Sequence, residues 1–192
     1  MAYDVNEEIV KLYLEENKFL VRTNLIYMVE KNNNIGYSDI DIIACNLRKS
    51  TKSITQANFI LKTTDLTHIK FAAIEVKGWH TSNFTPSLIT KYPRIFNMNS
   101  TQAQNKIKEY IGEDTEYKKI LIIPSFGSNI EESSKLLEKG GFNHVILFEE
   151  ILKNLIENVN VEESSSSETR QIIRLLKKYK FIESKISNQI TL

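Results

Sequence analysis

Cysteine occurs once, at position 45, so no disulfide can form within the chain. That excludes a disulfide-stapled scaffold and fits a reducing, cytoplasmic setting. Cys45 follows Ile42-Ile43-Ala44, where a thiol reads as a packing residue rather than a nucleophile. No apolar run approaches the ~20 residues of a membrane helix, and the opening MAYDVNEEIV is acidic where a secretory signal is basic. Neither a membrane partner nor a signal peptide is expected. A glycine-rich phosphate loop is also missing: Gly140-Gly141 ends a helical pattern instead of opening one, which argues against ATP use. His68 and His144 lack Cys or His partners at zinc-ligand spacing, so no structural zinc site is supported. Excess charge of one sign is lacking too. With 25 Lys and Arg against 24 Asp and Glu the formal net charge is +1, so any nucleic-acid binding must come from a local basic surface.

What is present suits one domain of ordinary size: 192 residues, 41% of them hydrophobic and 26% charged. Residues 5–17 read as a helix with Ile9, Val10, Tyr13 and Leu14 on one side. Phe19 to Glu30 and Tyr37 to Cys45 read as strands around the polar turn at 31–36, and Ile69 to Lys77 reads as a third, broken by Gly78. An extra strand is expected near Asn58 to Lys62, and a long loop with room for a short helix over 80–99. Thereafter helices over 101–112, 129–139 and 149–159 alternate with strands over 118–123 and 143–148. Consecutive strands favour an antiparallel meander, and helix–strand alternation favours parallel crossovers. The expected class is α/β, a mixed central sheet flanked by helices. The main α/β domain would span 1–160, followed by a serine-rich linker over 161–169 and a C-terminal amphipathic helix and tail over 170–192. Ser165 and Glu168 have capping-box spacing. In that last helix Ile172, Leu175, Leu176 and Tyr179 form an apolar face suited to docking, opposite Arg174, Lys177 and Lys178, which suit a nucleic-acid backbone.

The chemistry-bearing residues lie on two strands. Side chains alternate along a strand, so Asp39 and Asp41 share one face and Ile40, Ile42 and Ala44 the other. Glu75 and Lys77 likewise share a face, with Ile74 and Val76 opposite. Their neighbours on the charged side, Ile43 and Ala73, are apolar, and desolvated charges of this kind are costly unless a cation or a catalytic task compensates. Mg²⁺ takes one or two carboxylates, keeps waters, and completes its shell with phosphate oxygens. Asp41 and Glu75 supply such carboxylates, the Val76 carbonyl lies near in sequence, and Lys77 is placed to orient or help deprotonate an attacking water. The plain alternative is a cross-strand salt bridge among Asp41, Glu75 and Lys77.

Glu7 on the first helix, Asp41-Ile42-Ile43-Ala44 and Ile74-Glu75-Val76-Lys77 together resemble the PD-(D/E)XK nuclease superfamily, nearest to its archaeal Holliday-junction-resolvase-like and Mrr-like restriction branches. The resemblance covers roughly residues 5 to 125 and implies a restriction-endonuclease-like αβββαβ core. It further implies that Asp41 and Glu75 bind Mg²⁺ (Mn²⁺ as substitute), that Lys77 serves the attacking water, and that DNA is the substrate. By analogy, a homodimer would cut two strands. Ile40 stands where the motif has proline, Asp39 rivals or assists Asp41 as metal ligand, and the interval from Asp41 to Glu75 implies an insertion at 46–68. Glu7 has a second role open to it, favourable interaction with the helix dipole.

Around this set, Trp79 can stack on a splayed base or plug the sheet edge, and His80 can hold a phosphate or sit on the surface. Lys91 and Arg94 are backbone-contact candidates in the long loop. Gln104, with Gln102, begins the following helix, where some members of the superfamily place a glutamine that helps the lysine or the substrate. The expected activity is metal-dependent hydrolysis of DNA phosphodiesters. A catalytically inactive nucleic-acid-binding or assembly module, and an RNA-directed nuclease, are the alternatives.

Overall fold

The computed structural model describes residues 4–31, 34–48, 58–162 and 167–182. Helix α1 (Val5–Glu16) starts at Asp4, whose carboxylate accepts the Asn6 N–H at 2.7 Å. Lys18, left-handed at φ 69°, turns the chain into β1 (Phe19–Lys31), which pairs antiparallel with β2 (Asn34–Asn46) along its whole length. β2 in turn pairs antiparallel with β3 (Phe71–Val76), but only from Ile42 opposite Ile74 to Cys45 opposite Phe71. β4 (Lys118–Ile123) and β5 (His144–Leu147) then add in parallel, so the sheet order is β1-β2-β3-β4-β5. The chain is an α/β protein with a five-stranded mixed sheet flanked by helices. The change from antiparallel to parallel pairing comes after β3, where helical crossovers replace hairpins.

The stretch after β3 carries α2 (Pro86–Lys91), capped by Thr85, and a 3₁₀ segment, Pro93–Asn99. Helix α3 (Thr101–Ile111) leads to β4, and α4 (Ile130–Lys139) to β5. Helices α5 (Phe148–Asn158) and α6 (Glu168–Lys178) follow. β4 is buried on both faces, as its unbroken apolar run requires of a central parallel strand. Ile120 and Ile122 meet Val10, Tyr13, Ile151 and Leu155 of α1 and α5 on one side. Leu121 and Ile123 meet Ile89, Ile107 and Leu137 of α2, α3 and α4 on the other. Each fully buried Ile or Leu contributes about 1.5–3 kcal/mol relative to exposure.

Alternation breaks once, in the hairpin. Phe19 and Val21 pack on the α1 side, whereas Leu25, Tyr27 and Val29, of the same parity, pack on the α3 side. On β2, Ile42 and Ala44 face α1 while Ile40 joins Ile43 in the other core, so Ile40 parts from the two residues with which simple alternation groups it. Both breaks fall at one place, because the register runs from Thr23 opposite Ile42 to Leu25 opposite Ile40 and leaves Asn24 and Asp41 between them as the unpaired step. Asn24 is left-handed at φ 55°, and such a residue rotates the strand beyond it, as a bulge does. The site residue Asp41 therefore sits at the inflexion of the sheet.

Helix α6 also differs from expectation. Ile173 is its buried residue, while Ile172, Leu175, Leu176 and Tyr179 remain exposed. Three of its basic side chains turn inward instead, with Lys178 left exposed: Arg174 Nε donates to the Val161 carbonyl at 2.8 Å, Lys177 Nζ to the Val159 carbonyl at 2.7 Å, and Arg170 pairs with Glu16 of α1. Val159 and Val161 follow the end of α5, where backbone carbonyls lack helical partners and attract cations. Ser167 caps α6 by accepting the Arg170 N–H at 3.3 Å. The expected cap Ser165 lies outside the described residues, as do 49–57 of the expected insertion, 163–166 of the linker and the tail from 183. Within the insertion, Ile60 forms one parallel bridge to Val145 and Thr63–His68 is a 3₁₀ segment. No helix among the described residues is long and apolar enough to cross a membrane.

The left-handed position gives a direct test. Asn24→Val is expected to lower the unfolding free energy by about 1–2 kcal/mol relative to Asn24→Gly, since a β-branched residue resists positive φ. Urea titrations of the two variants would measure it, and equal stabilities would show that the inflexion does not depend on that backbone conformation.

Candidate active site

The β2–β3 ladder ends at the Ile42–Ile74 pair, one step short of Asp41 and Glu75. Beyond it the Asp41 carboxylate takes over as acceptor: the Val76 N–H donates to Asp41 Oδ2 at 2.6 Å. A side chain thus replaces a backbone carbonyl in the ladder, and the two strands part around a carboxylate. β3 stays fixed on its other edge, where the Lys77 N–H donates to the Ile122 carbonyl at 2.8 Å. Strand parity then delivers Glu75 and Lys77 to the same side. Lys77 Nζ donates to Glu75 Oε1 in an ion pair, while Glu75 Oε2 is buried with no hydrogen-bond partner. Asp41 is 7% exposed and Glu75 5%.

Glu7, in the first turn of α1, belongs to the same electrostatic group. Its carboxyl is pushed up to about 7, foremost by burial and then by the negative charge of Asp41. Burial is also the leading cause that raises the Asp41 and Glu75 carboxyls; Lys77 opposes it in both, and Asp39 adds like charge. For Lys77, burial pulls downward but Glu75 and Asp41 outweigh it, so its ammonium is held above the usual lysine range. Three carboxylates and half-buried Asp39 thus face one ammonium, and the net negative charge is only partly compensated. An unpaired carboxylate oxygen in such a place is what a divalent cation relieves.

Among the described residues no three His, Cys, Asp or Glu side chains converge as a metal-binding group. The residues present nonetheless fit Mg²⁺, which needs only one or two protein carboxylates alongside water and phosphate. Asp41 and Glu75 are the donors in question, and the orphaned Glu75 Oε2 is the observation that suits them to a cation. The ion pair between Glu75 and Lys77 is equally a feature of the plain salt-bridge alternative.

The remaining candidates divide. Trp79 is half-buried, stacked on Phe84 at 5.6 Å between centroids and edge-on to Tyr92 at 5.5 Å. Exposed His80 bonds Asn6 Oδ1 through Nε2 at 2.8 Å and lies edge-on to Phe148. Lys91 lines a cleft with Trp79, and Arg94 is exposed in the 3₁₀ segment. Gln104 donates to the Asn99 carbonyl at 2.9 Å, a contact at the start of α3, and Gln102 is exposed. Two participants carried no sequence signal. Asn6 packs so closely on Gly78 that a Cβ there would lie 2.2 Å from its Nδ2, and Tyr92 reaches Trp79 across α2.

The uncompensated charge has a measurable consequence. Glu75 titrates near 7 when folded against an ordinary 4.5, so between those values the folded chain holds a proton that the unfolded chain has released. Stability of the metal-free protein therefore falls as pH rises through that window. Glu75→Gln keeps the shape and removes the charge. It is expected to raise the thermal midpoint by a few degrees at pH 8 in EDTA and to leave it unchanged at pH 4.5, measured by calorimetry; a lowered midpoint at pH 8 would mean that the Lys77 ion pair outweighs the repulsion. No family model, curated protein or solved structure matches this chain, so its own carboxylates must carry the functional reading.

Proposed function

We propose that this chain is a cytoplasmic, Mg²⁺-dependent endonuclease that hydrolyses DNA phosphodiester bonds, with a restriction-endonuclease-like core of the PD-(D/E)XK type. The observation that carries the reading is the parting of β2 and β3 around Asp41 and Glu75, with Lys77 on the same side and one Glu75 oxygen unpartnered. A structural salt bridge needs neither the splayed strands nor the surplus acid.

Asp41 and Glu75 would hold the metal, which supplies Lewis-acid stabilisation of the charge on the phosphoryl group and favours ionisation of a bound water. The rest falls to the chain. The Val76 N–H fixes Asp41 Oδ2 in place, so the carboxylate is oriented before substrate arrives. Lys77 remains an ammonium because Glu75 and Asp41 stabilise its charge. In that state it orients the attacking water by donating to it and offsets the negative charge that builds on the phosphoryl oxygens; proton abstraction by its amine is disfavoured. Glu7, its carboxyl raised to about 7 foremost by burial, would favour its carboxylate form beside a bound cation and would then add negative charge to the site from α1.

The satisfied Glu75–Lys77 ion pair favours a second reading, a nuclease-fold module that binds nucleic acid without cutting it. Cleavage assays separate the two. With Mg²⁺ or Mn²⁺ the wild type is expected to cut at least one of supercoiled, single-stranded or branched DNA. Lys77→Ala is expected to lose about 10²–10⁴-fold in rate while still binding Mn²⁺ by calorimetry, whereas Asp41→Asn with Glu75→Gln loses both. Mn²⁺ binding with none of these DNAs cut would leave the binding module, and an RNA arm in the same panel separates the RNA-directed nuclease.

A further inference from the structure

Immediately after Lys77 and Gly78 the chain enters a solvent-open cleft of about 670 Å³. Such a volume falls in the range of ligand pockets, ~300–1,000 Å³. Its wall is aromatic and rigid. Trp79 lies nearly parallel to Phe84, at 16°, and Phe84 is fully buried, so the indole is anchored on the core. Tyr92, 43% exposed, closes the edge of the indole at 61°. Lys91 stands at the same wall, its Nζ 5.4 Å from the centre of the Tyr92 ring. Ser82 and Ser87 add hydroxyls, and among the described residues no Asp or Glu lines the cleft. The contrast with its surroundings is sharp, because the neighbouring strands carry Asp41, Glu75 and Asp39.

We propose that this cleft seats one unstacked nucleotide of a single-stranded nucleic acid, with its base against Trp79 and Tyr92 and its phosphate at Lys91. The proposal deepens the nuclease reading and rests on it for the reason that a strand should lie there. Every base has a π-face, so an aromatic platform accepts a base regardless of sequence. A paired base has both faces occupied by its neighbours in the duplex and reaches such a wall only when it leaves the stack. The lysine, in a lining that carries no carboxylate among the described residues, makes this the place beside the acidic centre where a phosphodiester meets attraction. The hydroxyls match the polar edges of a sugar or base. A strand whose nucleotide is held here passes the Glu75–Lys77 edge of β3 within two residues of chain, which points the substrate class toward single-stranded or frayed ends.

Trp79 is the sole tryptophan of the protein, so its fluorescence reports this cleft alone. The full chain in EDTA is titrated with a hexamer of thymidylate, a hexamer of uridylate, and a blunt hairpin duplex. Saturable quenching is expected with one or both hexamers, and about tenfold weaker binding of the duplex; the two hexamers tell DNA from RNA. Lys91→Ala and Tyr92→Leu are each expected to weaken hexamer binding about tenfold, and Tyr92→Phe to retain it, with circular dichroism matching the wild type in all three. Absence of quenching by both hexamers overturns the proposal, as does equal affinity for the duplex or indifference to both Lys91→Ala and Tyr92→Leu. Since no divalent ion is present, the outcome is independent of cleavage. Hexamer binding, with no substrate of the full DNA and RNA cleavage panel cut once Mn²⁺ is restored, supports the cleft and sinks the nuclease reading, whereas cutting without quenching sinks the cleft and leaves the nuclease.

Discussion

The hydrogen bond from the Val76 N–H to the Asp41 carboxylate is the interaction on which the site depends. It sits where the β2–β3 ladder would otherwise continue, and it solves two problems together. A backbone donor on a buried strand finds an acceptor, which it must do to avoid a penalty of about 1–3 kcal/mol. An acidic side chain is also held inside the sheet instead of turning outward. Glu75 and Lys77 then need only the strand period to arrive beside it. The inflexion at Asn24 serves the same end from the other side, because it rotates the hairpin beyond Asp41 and hands Leu25, Tyr27 and Ile40 to the second core.

The charge set there is poorly matched by design of its surroundings. A fold optimised for stability alone would place apolar groups at positions flanked by Ile43 and Ala73, and would not leave Glu75 Oε2 without a partner. Frustration of this sort concentrates at functional sites, where surrounding structure over-determines an arrangement that is unfavourable by itself. Here the surrounding structure is two full apolar layers and a central strand buried on both faces.

Much of this was legible in the residues. The alternation of Ala73, Glu75 and Lys77 against Ile74 and Val76 foretold which side chains share a face, and the run Lys118-Lys119-Ile120-Leu121-Ile122-Ile123 foretold a buried parallel strand. Gly140 stands where local backbone chemistry ends a helix, as its place after the 129–139 pattern implied. What escaped was set by distance along the chain or by backbone conformation. Asn24 looks like any polar strand residue, and nothing local announces a positive φ. The orientation of α6 depends on carbonyls at Val159 and Val161, so its apolar residues Ile172, Leu175, Leu176 and Tyr179 are not the face that packs on this domain. Asn6 and Tyr92 join the site through contacts 72 and 13 residues away in sequence, with Gly78 and Trp79, which no periodicity encodes. Glu75 and Lys77 were recognisable as a pair because the period of two runs undisturbed along β3, whereas β2 inflects at Asp41, and there only Ile42 to Ala44 keep the expected alternation.

The inflected hairpin has a thermodynamic side as well. β1 and β2 each contribute to both apolar layers, with Phe19, Ile42 and Ala44 in one and Leu25, Ile40 and Ile43 in the other. Neither layer can open without drawing on strands that the other needs. Loss of the α1 side frees the anchor of Asn24 and Asp41 and exposes the α3 side, and the reverse holds equally. The two layers are thus bound into a single cooperative unit, with the carboxylate centre at the seam between them rather than on a margin that frays first.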